Sequence, residues 1–148
     1  MTTTWGPGET QQTIYEVLST DETLQDLIGG LGHKTIPGDS KIYDRVPNEK
    51  NYPYITIGDI QWADRGNHTW EGWRAVLTVN VWYRDPGAAR KAVQAIQKRI
   101  DELIHKTEPC IEGWNIVGLR RSTSNIIIEP DNITLHGIQK FNLMIGEA

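Results

Sequence analysis

The sequence predicts one α+β domain, a single mainly antiparallel sheet with one long and one or two short helices packed on it. Three observations carry this. "WRAVLTVNVWY" (residues 73–83) alternates, with Trp73, Ala75, Leu77, Val79, Val81 and Tyr83 on one face and Arg74, Val76, Thr78, Asn80 and Trp82 on the other. "DPGAARKAVQAIQKRIDELIHK" (85–106) carries Val93, Ile96, Ile100, Leu103 and Ile104 on one helical stripe. The order is helix, strands, long helix, strands, with no internal repeat.

Each element has its own local reason. Residues 1–8, "MTTTWGPG", read as a flexible arm because Gly and Pro oppose regular structure. The domain proper then runs over 9–148. A helix follows over about 9–19, with Ile14, Tyr15, Val17 and Leu18 as its apolar stripe. Asp21 or Thr20 caps a second, short helix, which Gly29 and Gly30 end. "LGHKTIPGDSK" reads as a loop, and "KIYDRVP" as a short strand ending at Pro47. Pro53 restricts Tyr52 to an extended conformation before the strand of residues 54–62, which pairs antiparallel with the 73–83 strand.

The long helix starts at Asp85 as cap and Pro86 in the first helical position, and its length of about 30 Å crosses one face of a sheet. Beyond Pro109 the pattern returns to strands: "WNIVGLRRSTS", "NIIIEP" and, after a "PDN" turn, "ITLHGIQKFNLMI". In the last, Ile133, Leu135, Phe141, Leu143 and Ile145 share a face, interrupted at Gly137 and Gln139 as at a bulge or a close backbone approach.

Composition narrows the function. A chain of 148 residues buries roughly 70% of its unfolded surface, and six Trp and five Tyr supply large core groups. A formal charge of −4 gives no broad positive field for holding a nucleic-acid backbone. Cys110 is the only cysteine, which excludes an internal disulfide and a zinc site built from cysteines, and points to the cytosol. No signal-like leader and no apolar run long enough for a membrane span is present. The Asn67-His68-Thr69 and Asn132-Ile133-Thr134 triplets matter only in a secreted protein and read as chance.

No catalytic, cofactor or metal site is expected. His33, His68, His105 and His136 show no metal-ligand spacing, and His105 reads as a partial positive charge facing the end of the long helix. Ser122, Thr123 and Ser124 are not framed as a nucleophile, Cys110 lacks a hydrolase signature, and "GGLGHK" lacks phosphate-loop spacing. Asp59 and Asp64 read as solvated acids, and Arg120-Arg121 as charges that discourage unwanted pairing at a sheet edge.

The aromatic residues are more telling. Trp62, Trp70 and Trp73, with Arg65 and His68, gather around one hairpin loop, and Trp5 lies on the arm. Exposed Trp supplies contact area at little entropic cost, so these six residues are the candidates for protein contacts. The alternative is that Trp62 and Trp73 face each other as a cross-strand pair.

Taken together, "IYDRVPNEKNYPYITIGD", then "LTVNVWYRDPGAARKAVQAIQKRI", and finally "EPDNITLHGIQKFNLMI" resemble a family of bacteriophage and prophage tail-completion proteins. The resemblance runs over about residues 11–145, with a longer connection at "GGLGHKTIPGDSK" than members often have. It implies a tail terminator, or tail-to-head joining protein, that forms a homo-oligomeric ring, usually a hexamer, capping the tail tube. Its partners would be copies of itself, the tail tube protein and a head-completion or connector protein. It would assemble in the host cytoplasm and end at the head-tail junction of the virion. DNA would pass through the lumen without specific binding, and the negative net charge suggests an acidic lining. The 62–73 loop and the arm would then make intersubunit or tube contacts. The other readings are a head-completion or neck protein, a small cytosolic enzyme, or a host-derived adaptor.

Overall fold

A computed structural model describes residues 5–29, 41–44, 52–84 and 89–148. Helix α1 spans Gly6–Ser19, with a proline in its first turn where the missing N–H costs no hydrogen bond. The helix thus starts before the predicted residue 9, and Gly6 and Pro7, assigned to the arm by the sequence, are buried in it. Gly6 is held by close approach, since a Cβ there would lie 2.9 Å from Ile145 Cδ1 and from the Trp114 ring. Buried Thr10 returns its hydroxyl to the Gly6 carbonyl at 2.8 Å.

Helix α2, Glu22–Ile28, is capped by Asp21, whose carboxylate accepts from the Leu24 N–H at 2.8 Å. It ends at Gly29 with φ 74°, a left-handed conformation that glycine adopts without a Cβ clash.

Six strands make one sheet in the order β1-β2-β4-β6-β5, with β3 also on β4. β1 (Ile42–Tyr43) is parallel to β2 (Tyr54–Ile57), which follows a cis Tyr52–Pro53 peptide. The predicted end of the first strand at Pro47 lies outside the described residues. The predicted 54–62 strand is divided: β2 and β3 (Gln61–Asp64) both run antiparallel to β4 (Gly72–Arg84). Ile57 faces Val79 but Trp62 faces Ala75, so residues 58–60 shift the register by one. That shift turns Trp62 to the side occupied by Ile55 and Ile57.

Helix α3 spans Ala89–Ile104, and its predicted start at residues 85–88 lies outside the described residues. The two strands predicted after Pro109 are one, β5 (Trp114–Ile128), which pairs with β6 (Thr134–Glu147). Bulges fall between Ile116 and Gly118 and between Arg121 and Thr123, while at the predicted break Ser124 and Asn125 pair with Gln139 and Ile138 in one unbroken register. On β6 the interruption at Gly137 is a close approach: a Cβ there would lie 2.7 Å from Gln97 Nε2 and 2.9 Å from Val93 Cγ1. Ile133, predicted on the core face, precedes the strand and is exposed.

The core lies between one face of this sheet and the three helices. Leu77, Val79, Val81, Phe141, Leu143 and Ile145 meet Val93, Ile96 and Ile100 from α3, Ile14 and Leu18 from α1, and Leu24 and Ile28 from α2 in one buried cluster. Among the described residues, the opposite face carries no helix.

Asp21 also ties α2 to α3, accepting two bonds from Arg99, Nε to Oδ2 at 2.9 Å and Nη2 to Oδ1 at 2.7 Å. Those bonds, foremost, and the Leu24 N–H hold its carboxyl below the ordinary range, while burial opposes them. A carboxylate with a lowered folded-state pKa stabilises the fold above the unfolded value, about 4, and loses that contribution as pH falls through the folded value. Asp21→Ala should therefore lower the unfolding free energy by about 1–2 kcal/mol at neutral pH. Urea unfolding should show this difference shrinking below about pH 4; a pH-independent difference would contradict the assignment.

Candidate interaction site

The hairpin between β3 and β4 is a tightly bonded turn. Asp64 accepts from the Gly66 N–H at 2.8 Å, Arg65 N–H donates to the Gly72 carbonyl at 2.9 Å, and Asn67 N–H donates to the Trp70 carbonyl at 2.8 Å. Asn67 Oδ1 also accepts from the N–H and hydroxyl of Thr69. The turn is sewn to the end of β6, because Glu71 N–H donates to Glu147 Oε1 and Glu147 N–H to the Glu71 carbonyl, each at 3.0 Å. Asp64 thus serves the turn, and Asp59 is exposed.

The six contact candidates separate into different surroundings. Trp5 stands edge-on to Trp73 with ring centres 5.1 Å apart, and Trp73 edge-on to Trp62 at 6.4 Å. Trp62 is opposite Ala75 and Trp73 opposite Asp64, so the two indoles meet diagonally rather than as a direct cross-strand pair. Trp5 is 63% exposed, while Trp62 and Trp73 are half-buried against the core cluster. Trp70 belongs to the other face of the sheet, where its ring covers Gly72 and Gly146; a Cβ on either glycine would overlap it. The exposed Arg65 and His68 side chains have no partner among the described residues.

A second aromatic group was not read from the sequence. Trp82 stacks on His136 at 3.8 Å and 14° and on Tyr54 at 6.2 Å, and its indole N–H donates to Thr56 Oγ1 at 3.1 Å. His136 Nε2 lies 2.8 Å from Asn80 Oδ1, and Nδ1 lies 3.1 Å from Glu129 Oε1. Alternation puts Trp82 on this face, but only the strand register, which pairs it with His136, reveals the stack. The neighbouring Arg84 lies over the Tyr52 ring at 4.5 Å and bonds Asp131 at 3.1 Å. Burial pushes the Tyr54 hydroxyl up to about 12, with the Tyr52 hydroxyl contributing. These polar groups satisfy one another, as a structural network does.

No group of three metal-ligating side chains occurs among the described residues, and no described helix is long and apolar enough to cross a membrane. His105 differs from its predicted role. Its Nδ1 accepts the Arg121 N–H at 3.0 Å, so that nitrogen carries no proton, and lost hydration together with nearby Arg121 pushes its pKa down. It is a neutral acceptor rather than a positive charge at a helix end.

Two tests follow from these placements. Trp5→Ala should change the unfolding free energy by less than about 1 kcal/mol, whereas Trp70→Ala, which uncovers two glycines, should cost about 1.5–3 kcal/mol. Equal losses in chemical denaturation would contradict the separation. Burial also lowers the His136 pKa, opposed by Glu129. The unfolded chain therefore binds this proton first, and stability declines as pH falls below about 6.5 toward the folded-state value. Thermal melts should decline as pH falls below about 6.5, and His136→Gln should flatten the slope; an unchanged slope would contradict it.

Comparison with known proteins agrees with this architecture. A solved chain from "Virion of native gene transfer agent (GTA) particle" superposes with a TM-score of 0.79 over 95% of this chain and 97% of that one, at 17% identity, a likeness of fold. The "Tail completion protein gp17" of Bacillus phage SPP1 is 28% identical over 95 residues, 64% of this chain and 69% of its own length. A family model described as "Tail completion protein gp17" matches residues 12–146. The chain therefore belongs to the tail completion protein gp17 family, a family of structural virion proteins rather than enzymes.

Proposed function

We propose that this protein is the tail terminator of a long-tailed phage or prophage: a homo-oligomeric ring, most simply a hexamer, that caps the tail tube, stops its polymerisation and joins it to the head connector. The observation that carries this reading is the family match over residues 12–146. The chain of like fold in a gene transfer agent virion supports a place in such a particle. A ring needs heterologous contacts, in which one patch meets a different patch on the next copy and the rotation closes. Its partners are copies of itself, the tube protein and the connector, met first in the host cytoplasm and then at the head-tail junction.

The exposed Trp5, at the start of α1, is the contact residue best suited to assembly, followed by Arg65 and His68 at the hairpin tip. Trp62, Trp70 and Trp73 spend much of their surface inside the subunit and act by shaping the hairpin. DNA passes through the lumen without specific recognition.

Electron microscopy of lysates carrying an early stop codon in this reading frame tests the role. Filled heads beside separate tails of abnormal length are expected. Normal, joined virions would overturn the reading, and unjoined tails of normal length would move the protein to the neck.

A further inference from the structure

The helix-free face of the sheet has an unusual charge pattern. Positions whose side chains point away from the helices include Arg74, Val76, Thr78 and Asn80 on β4, Ile138, Lys140, Asn142 and Met144 on β6, and Gly118, Arg120, Thr123 and Asn125 on β5. None is acidic. Three successive rungs each carry one cation on a different strand: Arg74 beside Met144, Arg120 in line with Asn142 and Val76, and Lys140 beside Thr78. At about 3.4 Å per residue these rungs span about 14 Å. Arg74, Arg120 and Lys140 are exposed and have no ion-pair partner among the described residues. Val76 is 41% exposed among them, and a Cβ on Gly118 would meet nothing within 4 Å, so this part of the face is uncovered.

The opposite sign lies across the molecule. Residues 5–29, the span of α1 and α2, contain Glu9, Glu16, Asp21, Glu22 and Asp26 and no Lys, Arg or His. Asp21 is engaged by Arg99, but Glu16 and Asp26 are exposed and Glu9 half-exposed. Glu9 and Glu16 are seven residues apart on one helix, about 10 Å, within the about 14 Å length of the cationic rungs. Exposed Trp5 and Leu27 add apolar surface to the same two helices. By contrast, α3 presents Arg90, Lys91 and Lys98 outward and would repel the cationic face.

We infer that the cationic open face of one subunit docks on the acidic α1–α2 surface of the next copy, and that this heterologous contact closes the ring. The inference rests on the ring reading above and names its contact. Exposed Val76 and half-buried Ile138 and Met144 among the cations fit a protein partner better than a phosphate backbone, which uses charge and not apolar area. With these cations engaged between subunits, other surfaces are left to line the lumen.

A charge-swap experiment tests the pairing, read by sedimentation of the free protein and by occupancy of tails from the stop-codon lysate. R74E/K140E makes both surfaces negative, and E9K/E16K removes the acidic character of α1 and puts lysines there, beside the unaltered cationic face. Each variant alone should assemble about 100-fold more weakly than the wild type, from like-charge contact. An equimolar mixture should recover assembly as alternating rings with an even number of subunits, because each altered face then meets its complement. Circular dichroism and melting curves establish that both variants fold.

Variants that each assemble like the wild type, or folded variants whose mixture is not rescued, would overturn the contact while leaving the ring reading standing. A wild-type chain that forms no ring, free or on tails, would remove both. Variants that form normal rings but no longer retain DNA would reassign the open face to nucleic acid.

Discussion

The continuous antiparallel pairing of β4 with β6 is the constraint on which the rest of the structure depends. It runs over all 13 residues of β4, from Gly72 opposite Gly146 to Arg84 opposite Thr134, without a register shift. Because side chains alternate across a strand, this single register puts Leu77, Val79, Val81, Phe141, Leu143 and Ile145 on the helix side together. It also decides the composition of the other side, bringing Trp82 against His136 and setting Arg74 and Lys140 two rungs apart, with Arg120 added between them by the β5–β6 pairing. Slipping it by one residue would expose the core and bury the cations at once. Irregularity is displaced to the flanking strands, where β3 and β5 carry the shifts.

Those flanking irregularities shape the surfaces offered to partners. The shift at residues 58–60 turns Trp62 toward Trp73, and Trp5 extends the row outward from the start of α1. Bonds through Glu71 and Glu147 hold the hairpin at the sheet end, so this aromatic row is presented by a fixed scaffold. A subunit of this kind suits assembly: two faces of opposite charge, an exposed indole, and exposed cations left without partners among the described residues. An acidic lumen remains compatible with the −4 net charge only if the positive charge of the open face is placed elsewhere.

Much of this was legible in the sequence where the pattern is local and strong. The alternation of 73–83, the periodicity of the long helix, the Asp21 cap and the Gly29 stop all lie where the residues alone put them. What escaped depended on long-range partners. Gly6 and Pro7 read as chain breakers, but packing against Ile145 and Trp114 recruits them into a helical first turn. The β5 strand looked like two because the polar run Ser122-Thr123-Ser124-Asn125 reads as a break when the partner strand is unseen, whereas pairing with β6 carries Ser124 and Asn125 through it. The aromatic cluster near residue 70 was visible, yet its division between two faces was not, because a one-residue register shift leaves no mark in composition. The same reason hid the cationic rungs: Arg74, Arg120 and Lys140 are far apart in sequence and become neighbours only through pairing.

The proposed role of this chain is the structural ring at the head-proximal end of a phage tail. Cryo-electron microscopy of intact virions, with the density at that junction resolved to secondary structure, tests it most directly. A closed ring of this α+β fold is expected between tube and connector, each open sheet face against the α1–α2 helices of its neighbour. A junction whose density contains no copy of this fold would contradict it.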